Sequence, residues 1–258
     1  MAELIDAVSA IATEVGARVH ARWQDEFKRW EKVPGSPVCD VDLEVDALLR
    51  QRLGALLPDA GWLSEETADD RARLSARRVW VVDPIDGTRD YLRHRPGWAV
   101  SVALVEDGAP VIGVLDAPAR SERWTAEAGK GAWRGDARLH VAARDRLAGA
   151  RVPADQLPKV DSDLVMVAKP NSIALRIAMV AAGEADLLAT IRWGNEWDVA
   201  AAVLIAREAG AAITDALGRP LAFNTPSGQA FGVLASAPGI HAAAVERLAD
   251  RARDVLKA

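Results

Sequence analysis

The run Val79-Trp80-Val81-Val82 passes without a break into Asp83-Pro84-Ile85-Asp86-Gly87-Thr88. A short, wholly apolar run of this kind reads as a buried strand. It fixes a rigid element in the interior and delivers two aspartates, three residues apart, at its end. The ends of rigid elements are where side chains are presented to a site. Pro84 fixes its own φ and has no N–H to pair. Gly87 permits a tight turn and close approach of a ligand. Thr88 is placed to open a helix over 89–92, and the free N–H groups of a helix start seat phosphate. Two carboxylates beside such a seat would repel a phosphate unless a cation lay between them. A hard divalent ion such as Mg²⁺, held by oxygen ligands, suits that gap. Taken alone, Asp83 and Asp86 read as a turn residue and an N-cap rather than as a site.

The rest of the chain narrows the setting. Its 258 residues, half of them hydrophobic, suffice for a full core, in one large domain or two small ones. No long polar or low-complexity tract interrupts it. The net charge is −5 with both signs mixed along the chain, so no basic block marks a nucleic-acid polymer as partner. The single cysteine, Cys39, excludes an intrachain disulfide and fits a reducing cytoplasm. Met1–Asp6 lacks the layout of a signal peptide. No stretch approaches the roughly 18 apolar residues of a membrane span.

Leu4, Val8, Ile11, Val15 and Val19 predict an amphipathic helix over 2–22, and 43–57 repeats the pattern before Pro58. Ala99–Val105 and Pro110–Leu115, split by Glu106-Asp107-Gly108, predict a hairpin. Arg123–Ala126 and Ala132-Trp133 extend this β-rich portion. Beyond about residue 142 strands and helices alternate. Leu164–Ala168, Ala185–Thr190 and Ala211–Thr214 read as strands. Helices are expected over 173–182, 199–209 and 241–256, the first two ended by Gly183 and Gly210. The expected division is an α+β half over 1–145, carrying metal-binding loops, and an α/β half over 146–258 that completes the site.

Three other acidic segments accompany the Asp83–Asp86 motif: Leu63-Ser64-Glu65-Glu66-Thr67, Asn195-Glu196-Trp197-Asp198, and Cys39-Asp40-Val41-Asp42 at a helix start. Each alone reads as surface charge or a helix cap. Together with the run from Trp80 to Arg93, and with Trp197-Asp198-Val199-Ala200-Ala201 ending in Glu208-Ala209-Gly210-Ala211, the chain resembles the inositol monophosphatase superfamily over roughly residues 35–225. The resemblance implies a layered αβαβα sandwich, mixed α+β and α/β, of the inositol monophosphatase–fructose bisphosphatase type. It implies a Mg²⁺-dependent, lithium-sensitive phosphomonoesterase with two or three ions. Glu65, Asp83, Asp86, Asp198 and the Ile85 carbonyl are the implied metal ligands. Thr88 and Asp42 are the implied pair that orients and deprotonates the attacking water, and Glu65 is counted with them as catalytic. Asp86, Gly87, Thr88, Ser172, Arg176 and Asp198 are the implied substrate contacts. Ions of this kind lower the pKa of water and stabilise an in-line displacement. A homodimer is expected by analogy.

Cys39 and Ser64 stand where the family usually has threonine and glycine. Ile191 stands, seven residues before Asp198, where sugar-phosphate members often carry a hydroxyl-binding glutamate. Arg176 and the Glu196-Trp197-Asp198 triplet look more like bacterial 3′(2′),5′-bisphosphate nucleotidases, with Arg192 and Lys169 available for a second phosphate. The expected substrate is a small phosphorylated metabolite, leaning to 3′-phosphoadenosine 5′-phosphate. The alternatives are inositol 1-phosphate, histidinol phosphate, a sugar bisphosphate, and a non-catalytic protein that binds a phosphate ligand. The nine tryptophans read mainly as core.

Overall fold

The computed structural model describes residues 2–33 and 35–257. Helix α1 (Ala2–Arg22) is followed by a hairpin of β1 (Arg29–Val33) and β2 (Ser36–Cys39), then α2 (Asp40–Leu56). Next come β3 (Gly61–Ser64), β4 (Arg78–Asp86), the single turn α3 (Thr88–Tyr91), β5 (Ala99–Glu106), β6 (Ala109–Ala117), β7 (Glu122–Glu127), β8 (Gly131–Arg134) and β9 (Ala137–Arg138). The remainder comprises β10 (Arg151–Pro153), β11 (Val165–Val167), α4 (Ile173–Ala181), β12 (Leu187–Ala189), β13 (Trp193–Asn195), α5 (Ala200–Glu208), β14 (Ala212–Thr214), β15 (Gln229–Phe231), β16 (Leu234–Ser236) and α6 (Pro238–Lys257).

Strands β3 to β9 form one sheet in chain order, antiparallel except for the parallel pair β3–β4. Its two faces explain the unbroken apolar run of β4. Trp80 and Val82 pack with α1 and α2 through Val8, Val15, Val45 and Leu49. Val79 and Val81 pack on the other side with α4 and α5. A strand covered on both faces has no wet side to carry polar residues. Beyond α4 and α5 lies a three-stranded sheet, β12-β16-β14, and α6 covers its far side through Ile240 and Ala244. The order helix, sheet, helix, sheet, helix is the expected layered sandwich.

The long elements lie where periodicity predicts them, whereas the β1–β2 hairpin, β3, and the three-residue strands β10, β13, β15 and β16 carry too few residues to show a period. The strand expected to end at Val82 continues through Asp86. Among the described residues no helix is long and apolar enough to cross a membrane.

Candidate metal centre and phosphate pocket

The pairing of β4 brings its two aspartates together. Asp83 pairs with Ser101 of β5 and Asp86 with Ala99. Three steps on β4 therefore match two on β5, which is a β-bulge at Pro84-Ile85. Residues three apart on a regular strand face opposite ways, whereas Ser101 and Ala99 share a face. The bulge thus turns Asp83 and Asp86 to the same side, the side covered by α4 and α5. Parallel pairing of Ser64 with Val82 places Glu65 beside Asp83. Asp198 arrives from the segment just before α5. Carboxylate oxygens of Glu65, Asp83 and Asp198 lie within 4.8 Å of one another.

Gly87 sits where three segments meet. Its φ is +95°, and a Cβ there would lie 2.6 Å from the Gly97 carbonyl oxygen and 2.8 Å from the Ser172 amide. Only glycine meets both demands. The Ser172 amide donates to that same Gly97 carbonyl, which ties the start of α4 to the turn. Asp86 then caps α4 from outside. It accepts from the Ser172 hydroxyl, from the Ala174 amide at 2.8 Å and from the Ile173 amide at 3.4 Å.

Several expected site residues therefore have other partners here. Asp86 lines the pocket but stands outside the three-carboxylate cluster. Ser172 is buried, and its hydroxyl spans Asp86 and the Leu175 amide instead of facing the pocket. The Ile85 carbonyl accepts from the Thr88 hydroxyl at 3.0 Å. Asp42 is buried behind the pocket, where Oδ2 accepts from the Cys39 amide at 2.8 Å and the Cys39 thiol at 2.9 Å. The thiol takes the place of a hydroxyl in this capping box, and burial with Asp42 pushes its pKa up, so Cys39 is no thiolate nucleophile. Glu196 accepts from Asn224, and from the Thr225 amide and hydroxyl, which makes it a brace for the 224–228 loop. Lys169 pairs with Asp155 away from the cluster. Ile191 packs with Ala216, Phe231 and Ala252, while its neighbours Thr190 and Arg192 line the pocket.

Two residues near the cluster had no place in the sequence reading. Lys32, on the β1–β2 hairpin, lies 2.9 Å from Glu65 and 2.7 Å from Glu66. Asp46 of α2 accepts from the hydroxyls of Ser64 and Thr67 and so grips both ends of the Glu65-Glu66 loop. Asp46 follows Asp42 by one helical turn, a spacing that shares a face and signals the pair.

The electrostatics follow from crowding. Burial, then Glu65, Asp86 and Asp198, raise the pKa of Asp83 well above the usual carboxylate range. Burial with Asp86 and Glu65 raises Asp198 to about 8. Burial raises Asp86 to about 6 and Asp42 to about 7, against their hydrogen bonds. Burial opposes the charge of Lys32, but the carboxylates of Glu65 and Glu66 outweigh it and raise its pKa. A cluster of hard oxygen donors that disfavours its own charge fits a divalent cation such as Mg²⁺. The cavity around it measures about 340 Å³ and is also lined by Thr88, Asn171, Arg176, Arg192, Trp193 and Asn195.

The model of the inositol monophosphatase family matches residues 1–255. The chain belongs to the inositol monophosphatase family. As a member it is a phosphatase, a metal-dependent hydrolase of phosphoric monoesters, and the family is Mg²⁺-dependent. An inositol-1-monophosphatase of Rhizobium meliloti is 35% identical over 204 residues, 72% of this chain and 75% of that one. The 3′(2′),5′-bisphosphate nucleotidase CysQ of Escherichia coli K12 is 32% identical over 203 residues, 74% of this chain and 80% of that one. The structure of an IMPase from Thermotoga maritima superposes with a TM-score of 0.85 at 27% identity, covering 99% of this chain and all of that one. The family's fold is thus the layered sandwich expected from the sequence.

Proposed function

We propose that this phosphatase removes a phosphate from a small metabolite carrying a second anionic group, with 3′-phosphoadenosine 5′-phosphate as the representative substrate. One observation carries the reading. Arg176 and Arg192 both line the carboxylate pocket, and Arg176 is part-buried beside Asp86 and Asp198, with burial lowering its pKa against their charges. Arg176 donates only to the carbonyls of Ser172 and Asn171. Two guanidiniums left facing one cavity form a seat for a planar or tetrahedral anion.

In this reading Glu65, Asp83 and Asp198 would hold Mg²⁺, with Asp86 and the Ile85 carbonyl available to complete the set. The bound metal supplies the positive charge that draws in the phosphate and eases ionisation of the attacking water. Thr88, which lines the cavity, is assigned to that water, whereas Asp42 is buried outside the lining. The Thr88 hydroxyl donates to the Ile85 carbonyl at 3.0 Å. Asp46 holds the two ends of the Glu65-Glu66 loop, and Lys32 pairs with both of its carboxylates.

Inositol 1-phosphate is the second reading. Ile191 packs away from the carboxylate pocket, so the lack of a glutamate there does not disfavour a polyol within it. Phosphate release with Mg²⁺ from 3′-phosphoadenosine 5′-phosphate, inositol 1-phosphate, fructose 1,6-bisphosphate and histidinol phosphate separates the two. A kcat/KM preference of about a hundredfold for the nucleotide is the expected result, because a seat built for an anion rejects a ligand lacking it. A flat profile, or preference for inositol 1-phosphate, overturns the substrate assignment.

A further inference from the structure

Trp193 is 55% exposed. Trp80, Trp98 and Trp124 are buried, as the core reading expects. A tryptophan left in solvent on a convex surface needs no explanation, but this one lies on the wall of the carboxylate pocket, the only aromatic side chain among the residues lining it. Its ring is not loose. β13 pairs antiparallel with β15, Trp193 opposite Phe231, and the two rings meet edge-on with centroids 5.4 Å apart at 61°. The buried Phe231 therefore props the indole and leaves much of it open. The same short strand reaches the metal cluster, since the Asn195 amide donates to Asp198 at 3.2 Å. Arg192 precedes the indole in sequence. A rigid, open π-surface beside two guanidiniums and the carboxylate cluster is what a planar, anionic leaving group requires.

We propose that Trp193 is a specificity-determining residue, the stacking platform for a heteroaromatic base on the leaving group of the phosphate ester. The inference rests on the phosphatase reading and narrows its substrate to nucleotides. Trp193 takes no part in bond cleavage. It binds ground state and transition state alike through the base, so its contribution falls on KM.

The test compares wild type with Trp193→Ala and Trp193→Phe, under Mg²⁺, on 3′-phosphoadenosine 5′-phosphate and on inositol 1-phosphate. Truncation to alanine should raise KM for the nucleotide by about fivefold to a hundredfold, as loss of one stacked base does. The loss should exceed that on inositol 1-phosphate by about tenfold or more, with phenylalanine restoring most of it. Equal losses on both substrates would mean that the indole merely supports the Asp198 strand, and would overturn the proposal. An unchanged nucleotide KM would do the same. If wild type hydrolyses neither compound, the proposed substrate assignment fails separately. The platform is then judged by calorimetry with adenosine 5′-phosphate: binding weakened at least about fivefold by Trp193→Ala supports it, and equal or absent binding refutes it.

Discussion

At the scale of single residues, Asp83 concentrates the conflict on which the site depends. It is buried, faces Glu65, Asp86 and Asp198, and has a pKa pushed well above the ordinary carboxylate. Asp83→Asn keeps the shape and keeps an oxygen able to accept from the Ile85 amide, which now donates to Oδ1 at 2.9 Å. It removes the charge that a divalent ion needs. Turnover should fall by at least roughly a hundredfold, more than loss of an outer-shell partner costs. Without metal the variant should melt no lower than wild type, since one of several mutually repelling groups is gone. The rise in melting temperature on adding Mg²⁺ should shrink. Thermal melts in chelator and across a Mg²⁺ titration check both points, and wild-type turnover in the variant would remove Asp83 from the metal centre. The acidic residues themselves were legible in sequence, because each sits at a strand end or helix start in a recognisable run. Their supports were not. Lys32 reaches the cluster across a hairpin whose five- and four-residue strands carry little periodicity, and Ser172 faces inward for reasons only the turn at Gly87 reveals.

At the scale of elements, the site depends on how closely helix and sheet approach. α5 begins two residues after Asp198, and it is buried on all sides from Ala200 to Ala206. Gly113 of β6 receives it: a Cβ there would stand 2.6 Å from the Ala201 carbonyl oxygen. The sequence shows the Ala-rich helix but not its depth, because small residues on two elements far apart in the chain declare a close approach only when brought together. The bulge at Pro84-Ile85 was hidden in the same way. Its register is set by β5, and a spacing of three on one strand says nothing of two on the other. Gly113→Ala should push α5 outward and destabilise the protein by about 1–3 kcal/mol, the usual cost of overpacking. Because Asp198 rides on the N-terminal end of α5, the Mg²⁺ concentration needed for half-maximal activity should rise as well. Denaturant unfolding and a Mg²⁺ titration of activity measure the two effects. Lower stability with unaltered metal dependence would show that the helix start is held by the Asn195 contact alone.

Over the whole molecule, the layers were readable where periodicity was long. α1, α2 and α6 repeat apolar residues over four turns or more, and the β5–β6 hairpin carries its own turn signal. The second sheet was only half visible, since three-residue strands such as β16 are too short to show a period. One consequence of stacking α1 on the large sheet is an acid caught between layers. Asp116 of β6 is buried under α1, so close that a Cβ on Gly16 would overlap its carboxylate. Burial raises its pKa to about 6, and Arg123 and Thr13 offset this only in part. The folded value lies above the unfolded value of about 3.9. The protonated form therefore favours the folded chain, and its contribution is complete below about pH 4 and lost as pH rises through about 6. Asp116→Asn fixes the uncharged state. It should stabilise the protein by about 1–3 kcal/mol at pH 7.5, where wild type carries the buried charge, and by almost nothing at pH 4. Thermal melts of both proteins at the two pH values give the difference directly. Asp116 lies on the opposite face of the sheet from the metal cluster, so the gain should appear with and without Mg²⁺. A loss of stability at pH 7.5 would show instead that the ionised carboxylate earns its place through Arg123 and Thr13, and that α1 is fastened to the sheet by charge as well as by its apolar face.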